Sequence, residues 1–335
     1  MIEPRKGTGQ PTIADVAELA GVSRAIASRA LSSEPRPVSA DKRERVLQAA
    51  RKLGYKPNLL ARSLTTKTVN LVAVVVNHIH DLSDLDLFDH LISEIQSIGK
   101  QVIFVRVGSS QGIEEFLRNG IAYHVDAALV FSDFADAASV RKMFRNDSVL
   151  MLNGMRDDAA PAIIPDELAG IATAVADAAE KGVRTALLVT GRAASAVEQA
   201  RVGHYRSELQ RSGIALIGEL RGDYSYESGR RIAASPEWKS ADAVFCTSDA
   251  MAMGVLDVHR EAILKIGPKA FLLYGFDDVT LAEYEAYPIS SIGYDKTAYI
   301  KEILRFLTNT KAFRSGGTLV QIPTYFVSRE SSRSK

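Results

Sequence analysis

Cysteine is almost absent: Cys246 is the only one in 335 residues. An intrachain disulfide is therefore impossible, and a reducing compartment is the simple expectation. No His or acidic pattern around Cys246 suggests an activated thiol, so a small buried residue is expected there. No run of about eighteen apolar residues occurs, so no membrane-spanning helix is expected. Met1–Gln10 is polar, holds Pro4 and Gly7, and lacks the apolar core of a secretion signal, which points to the cytoplasm. Arg329–Lys335 carries no heptad repeat, so no oligomerising coiled coil is expected at that end. Net charge is also nearly absent, at +1.

That near-neutrality hides a division. Residues 1–68 hold 13 Lys/Arg against 6 Asp/Glu, while the remainder holds 28 against 34. A basic head on an acidic body suggests a polyanionic partner for the head alone. The length suits two or three domains.

The basic head also carries the most informative stretch. Residues 12–31 read as helix, tight turn, helix. Thr12 with Asp15 resembles a capping box. Ile13, Val16, Ala17 and Ala20 fall on one apolar face. Gly21 can end the first helix, and Ser23 can cap the second, whose outward face offers Arg24, Ser28 and Arg29. Such a helix fits the DNA major groove, where Arg can pair with guanine O6 and N7. A third helix opens near Ser39, with Val46, Leu47, Ala50 and Leu53 as its stripe and Gly54 as its stop. Pro57 then suits the start of a short segment with Leu60, Ala61 and Leu64 on one side. Alone in water that segment is too short to hold helical form well.

The run from Thr12 to Ser23, then Ser28-Arg29, Val38-Ser39 and Gly54-Tyr-Lys-Pro-Asn58-Leu-Leu-Ala61-Arg62-Ser-Leu64, resembles bacterial transcription regulators of the lactose/galactose-repressor family. The resemblance implies Arg24, Ala25 and Arg29 at base edges, with Ser23, Ser28 and Thr12 among the DNA-contacting residues. It also implies paired hinge segments in the minor groove, with Leu64 as a wedge and Asn58, Ala61 and Arg62 around it. An apolar wedge of this kind unstacks and kinks DNA. Ala27 departs from the family's usual Val, and the turn after Leu31 looks expanded.

From Asn70 the pattern changes to short apolar runs separated by helical stretches. Leu71–Val76, Val102–Val105, Ala127–Phe131, Val149–Leu152, Thr185–Thr190, Ala243–Cys246 and Ala270–Gly275 read as strands. Leu87–Ile98, Gln199–Ser212 and Ala250–Ala262 read as helices. The alternation predicts parallel sheets with helices on both faces, and a cleft at the carboxyl ends of the strands. The expected organisation is a helix-turn-helix head (1–56), a hinge helix and linker (57–69), an α/β effector-binding and dimerisation domain of two doubly wound subdomains (70–330), and a tail (331–335). The body resembles the family's effector domain, with the fold of periplasmic sugar-binding proteins, in Gly275-Phe-Asp-Asp278, Leu281-Ala-Glu-Tyr284 and the ending Ile322–Ser332.

That resemblance implies Asn77, Phe88, Asp166, Arg201, Tyr224, Ser248 and Asp277 as cleft residues. Carboxylates and Arg can hold vicinal hydroxyls, and an aromatic face can cover a sugar ring. Ser248 stands where Asn is usual and His204 where Gly is usual, so the effector is expected to be unusual. The run from His78 to His90 holds many potential ligand atoms, but its spacing matches no standard metal pattern. It reads as a solvated loop and helix-starting acids, some within reach of the effector. No cofactor, no metal and no enzymatic activity is expected. The expected function is a repressor, a homodimer on pseudo-palindromic operator DNA, controlled by a small carbohydrate. The alternatives are a corepressor-dependent regulator answering to a nucleobase or similar ligand, or a plain sugar-binding protein.

Overall fold

The computed structural model describes residues 11–31, 37–55, 69–79, 81–118, 124–152, 154–155, 160–264, 271–313 and 317–333. The chain divides into two units, Met1–Val69 and Asn70–Lys335.

In the first unit three helices enclose a core of small side chains. They are α1 (Ile13–Leu19), α2 (Arg24–Ala30) and α3 (Ala40–Leu53). Thr12 closes a full capping box: its Oγ1 accepts from the Asp15 N–H, while the Asp15 carboxylate accepts from the Thr12 N–H at 2.7 Å. Ser23 Oγ accepts from the Ile26 N–H and starts α2. Ser39 is the N-cap of α3 but makes no side-chain capping bond. Val16, Ala17 and Ala20 meet Ala27, Ala30, Val46, Ala49 and Ala50. Alanines let such short helices approach closely, so two valines supply the larger apolar burial, at roughly 1.5–3 kcal/mol each. Arg43 Nη1 donates to the Ala30 carbonyl at 3.0 Å and ties α3 to the end of α2.

The second unit alternates strand and helix. Its first half contains β1 (Leu71–Val76), α4 (Leu82–Ser97), β2 (Gln101–Arg106), α5 (Ser110–Arg118), β3 (Ala127–Val130), α6 (Ala137–Phe144), β4 (Val149–Met151) and β5 (Ala162–Asp166). The chain then passes to a second half: α7 (Glu167–Glu180), β6 (Thr185–Thr190), α8 (Ala196–Arg211), β7 (Ala215–Arg221), α9 (Tyr226–Ala233), β8 (Ala243–Cys246), α10 (Asp249–Leu264), β9 (Leu272–Phe276) and β10 (Ser290–Tyr294). It returns with α11 (Lys296–Thr308) and ends with β11 (Leu319–Val327). The strand order is β2-β1-β3-β4-β5-β11-β10-β9-β8-β6-β7. Pairing is parallel within each half, as expected for strands buried on both faces, but β11 runs antiparallel to β10.

β11 belongs to both halves. Leu319–Pro323 pairs with β5, and Thr324–Val327 pairs with β10. α11 likewise sends Tyr299, Ile300, Ile303 and Phe306 into the first half's core, against Leu87, Leu91 and Ile95 of α4. Thr324 stands at the crossing. Its hydroxyl donates to the Asp166 carbonyl at 2.6 Å and accepts from the Gly170 N–H at 2.8 Å. A Cβ on Gly170 would lie 2.5 Å from Ile292 and 2.8 Å from that hydroxyl, so only glycine lets α7 sit this close.

The start of the expected tail (331–335) packs on the body. Ser331 and Ser332 are buried: Ser331 Oγ donates to the Leu273 carbonyl at 2.7 Å, and Ser332 Oγ bonds Ser290 Oγ at 2.6 Å. The body therefore extends past residue 330. Cys246 is fully buried, and burial pushes its thiol pKa up, as an inert core residue requires. Among the described residues no helix is long and apolar enough to cross a membrane.

Candidate functional site

Two surfaces can carry chemistry, one in each unit. On α2, Ala27 and Ala30 face the core, while Arg24, Ala25, Ser28 and Arg29 are all exposed. Ser23 Oγ spends a lone pair on the cap and keeps its own hydrogen for an outside acceptor. Thr12 differs, because its hydroxyl also donates to Asp15 at 2.8 Å. A phosphate at Thr12 would have to compete with that carboxylate. Asn58, Ala61, Arg62 and Leu64 lie outside the described residues.

The second surface is a cavity of about 180 Å³ between the two halves of the body. Its walls are the segments that leave the carboxyl ends of the strands. Asn77, His78 and Asp81 follow β1, and Phe131 and Asp133 follow β3. From the other half come Arg192 after β6, Tyr224 after β7, Ser248 after β8 and Asp277 after β9. This is where open parallel sheets place their ligands. Tyr224, Asp277 and Asp278 hold positive φ angles of 72°, 106° and 46°, a strain that non-glycine residues keep where surrounding structure fixes them.

Arg201 forms the floor. It is 8% exposed, and its Nε and Nη2 donate to the two oxygens of Glu167 at 3.0 and 2.6 Å. Nη1 donates to the Thr247 carbonyl at 2.7 Å, and the guanidinium lies 3.7 Å from the Phe276 ring centroid. Burial opposes its charge, but the charge and hydrogen bonds of Glu167 hold its pKa above the usual value. Three of its five N–H groups are used, leaving two for a ligand. Glu198 plays the same positioning part for Tyr224, accepting from its hydroxyl at 2.8 Å and from Thr247 Oγ1 at 2.8 Å. Tyr224 can lie there only because residue 191 is glycine; a Cβ would fall 1.9 Å from its ring.

The mouth of the cavity is bridged. Arg192 Nη2, from the second half, lies 2.8 Å from His78 Nε2 and 3.1 Å from Asp81 Oδ2, both of the first half. His78 and Asp81 are themselves 2.9 Å apart. His78, Asp81 and Asp84 can bring one atom each within 4.8 Å of one another, a spacing a cation could use. The Arg192 guanidinium already supplies a positive charge to two of the three, so the set fits a cross-cleft latch.

Asp84 and Asp277 are ionised reluctantly. Burial, then neighbouring Asp81 and Asp277, raises Asp84 to about 7. Burial likewise raises Asp277 to about 7, against the pull of Arg201. A raised carboxyl favours the fold while protonated: its contribution is complete below about pH 4 and is lost as pH climbs through about 7. The unliganded protein should therefore lose ~1–3 kcal/mol of body stability between about pH 6 and about pH 8. Thermal melts across that range check this, and Asp277→Asn should flatten the dependence. Asp223, lowered to about 2 by its hydrogen bonds with Ser225 despite partial burial, opposes the trend only in acid below about pH 4.

Of the expected cleft residues, Asn77, Phe88, Arg201, Tyr224, Ser248 and Asp277 line the cavity. Asp166 does not. It ends β5 and offers its carbonyl to Thr324 at the crossing, while Glu167 turns inward to Arg201. Arg192 and Asp133 line the cavity and were missing from the expected set, while Asp84, which also lines it, belongs to the run from His78 to His90 whose groups were expected in part within reach of the effector. Following every strand to its carboxyl end would have found Arg192 and Asp133.

Comparison with known proteins gives two family matches. Residues 12–58 match the model of bacterial regulatory proteins of the lacI family. Residues 175–332 match a periplasmic binding protein-like domain. The HTH-type transcriptional regulator AscG of Escherichia coli (strain K12) is 28% identical over 88% of this chain and 90% of its own length. In fold, the lac repressor dimer bound to operator and the anti-inducer ONPF superposes with a TM-score of 0.83 at 23% identity, covering 97% of this chain and 99% of the other. A complex of the transcriptional regulator CelR with cellobiose has a TM-score of 0.66 at 24% identity, covering 96% and 99%.

Proposed function

This chain belongs to the lacI family of bacterial regulatory proteins and is a DNA-binding transcriptional regulator with an effector-binding domain; on that premise we propose that it is a repressor whose operator affinity is set by a small polar effector in the body's cleft. The observation that carries the proposal is the exposed Arg24–Ala25–Ser28–Arg29 face of a capped second helix in a basic head. Arg24, Ala25 and Arg29 read base edges in the major groove, and Ser23 and Ser28 donate to phosphates. Asn58, Ala61, Arg62 and Leu64 form the minor-groove hinge of a dimer on a pseudo-palindromic site.

The effector class is carbohydrate-like. Arg201, Asn77 and the carboxylates supply donors and acceptors for hydroxyl groups, and Phe88, Phe131 and Tyr224 supply ring faces. A cavity of about 180 Å³ suits one ring rather than two. A ligand can shift the protein between shapes only by binding them unequally. Here the unequal element is the latch, because a ligand between the halves alters what Arg192, His78 and Asp81 reach.

The test is binding to a duplex selected from random sequence, followed by fluorescence anisotropy with and without candidate ligands. Selective binding that a ligand alters supports the reading; uniform attachment to any duplex overturns it. Arg29→Ala should cost about 1–3 kcal/mol and relax one base position. If every position is still discriminated as before, Arg29 reads no base.

A further inference from the structure

The cations around the cleft already have partners. Arg201 is paired with Glu167, and Arg192 with Asp81 and His78. Lys296, at the start of α11, lies 3.6 Å from Asp86 and donates to the Asp278 carbonyl. The remaining acids divide into two groups. Asp133 accepts from Asn77 Nδ2 at 2.7 Å, and Glu198 holds Tyr224 and Thr247. Asp84 and Asp277 line the same cavity from its two halves, and among the described residues neither side chain has a hydrogen-bond or ion-pair partner.

Two half-buried carboxyls facing one cleft, with every cation described around it already paired, are a poor match for a neutral polyol alone. Burial is the main reason both resist ionisation, and the pull of Arg192 on Asp84 and of Arg201 and Lys296 on Asp277 does not offset it. Other neighbours offer no relief: Tyr294, buried beside the pair, stays neutral, and Asp249 is occupied by Ser291 Oγ at 2.6 Å and the Val279 N–H at 2.9 Å. We infer that the effector carries a cationic nitrogen on a small hydroxylated skeleton, an amino sugar or amino alcohol, whose ammonium sits between Asp84 and Asp277 while its hydroxyls meet Arg201 and Asn77. The inference rests on the cleft being the effector site. A divalent cation is the less suitable occupant, because two of the three groups that could hold it, His78 and Asp81, are bound to Arg192.

The test uses the full chain and matched pairs of compounds in an amine-free buffer: glucosamine against glucose, galactosamine against galactose, and serinol against glycerol. Calorimetry and thermal shift should show, in at least one pair, the amine binding at least about tenfold tighter than its hydroxyl twin at about pH 7.5. The preference should shrink about tenfold by about pH 5.5, where the two carboxyls hold their protons. Asp84→Asn and Asp277→Asn should each remove it. Both variants are expected to fold, since each replaces a half-buried carboxyl by a neutral side chain of the same shape; far-ultraviolet circular dichroism and the melt in the absence of ligand verify this. Three results overturn the inference: no amine in the panel binds better than its twin, the preference survives both substitutions, or magnesium, manganese or zinc alone reproduces the stabilisation. If a neutral sugar binds better and alters operator affinity, the effector reading stands and only the charge assignment falls. If no compound of either kind alters operator affinity, both fall.

Discussion

Operator affinity should drop about a thousandfold or more as salt rises from about 50 to about 200 mM. The expectation follows from where the charge sits. The head holds 13 Lys/Arg against 6 Asp/Glu, and the rest of the chain is net acidic. Docking two heads on one site neutralises several phosphates and releases their counterions, so log affinity falls steeply with log salt. The acidic body adds no phosphate contacts of its own and should not bind DNA when the head is removed. Anisotropy titrations at several salt concentrations give the slope directly. A flat response would mean that the exposed face of α2 does not lie in a groove. Arg24→Ala should lower affinity too, but it should leave most of the slope, because one side chain is a small part of the ionic contact.

Arg201→Ala should abolish the effector response and destabilise the body together. The substitution strands Glu167, which is 6% exposed and loses both hydrogen bonds from its bidentate partner. Breaking one side of a buried pair costs about 3–5 kcal/mol, since the remaining carboxylate stays desolvated and uncompensated. Phe276 also loses the guanidinium stacked 3.7 Å from its centroid. Operator binding by the folded fraction should persist below the lowered melting temperature, because Arg201 belongs to the second unit. A companion variant separates stability from recognition. Arg201→Met with Glu167→Leu removes the charged pair as a unit and should recover much of the melting temperature. It should not recover the ligand response. A double variant that still answers to its effector would show that Arg201 only supports the fold.

The sequence was most legible where local rules act alone. Thr12, Ser23, Gly21 and Gly54 mark helix ends by backbone chemistry, and the strands β1, β6 and β8 are uninterrupted apolar runs. Elements with diluted patterns were harder. β7 is an edge strand whose residues are nearly all partly exposed, and β11 is broken by Pro323 and by its exchange of partners midway. α4 starts at Leu82, five residues before the expected start at Leu87, because Asp84 and Asp86 blur its apolar period. The cleft was legible as a set of residue types rather than as geometry. Neither carboxylate after β5 lines the cavity: strand gives way to helix between Asp166 and Glu167, and Glu167 reaches the site only through Arg201, a role its residue type alone does not announce. The latch had no local signature, since Arg192 meets His78 and Asp81 across more than a hundred residues of chain.

One strand shared by two sheets has a genetic consequence. A stop codon directly after residue 295 would delete α11 and β11, yet the damage would fall first on the half translated earliest, whose interior depends on Tyr299, Ile300, Ile303 and Phe306. The gene therefore has no interior point within the body at which it could be divided into two self-sufficient proteins. The lobe translated first cannot complete its interior until the second has been made and α11 has followed it.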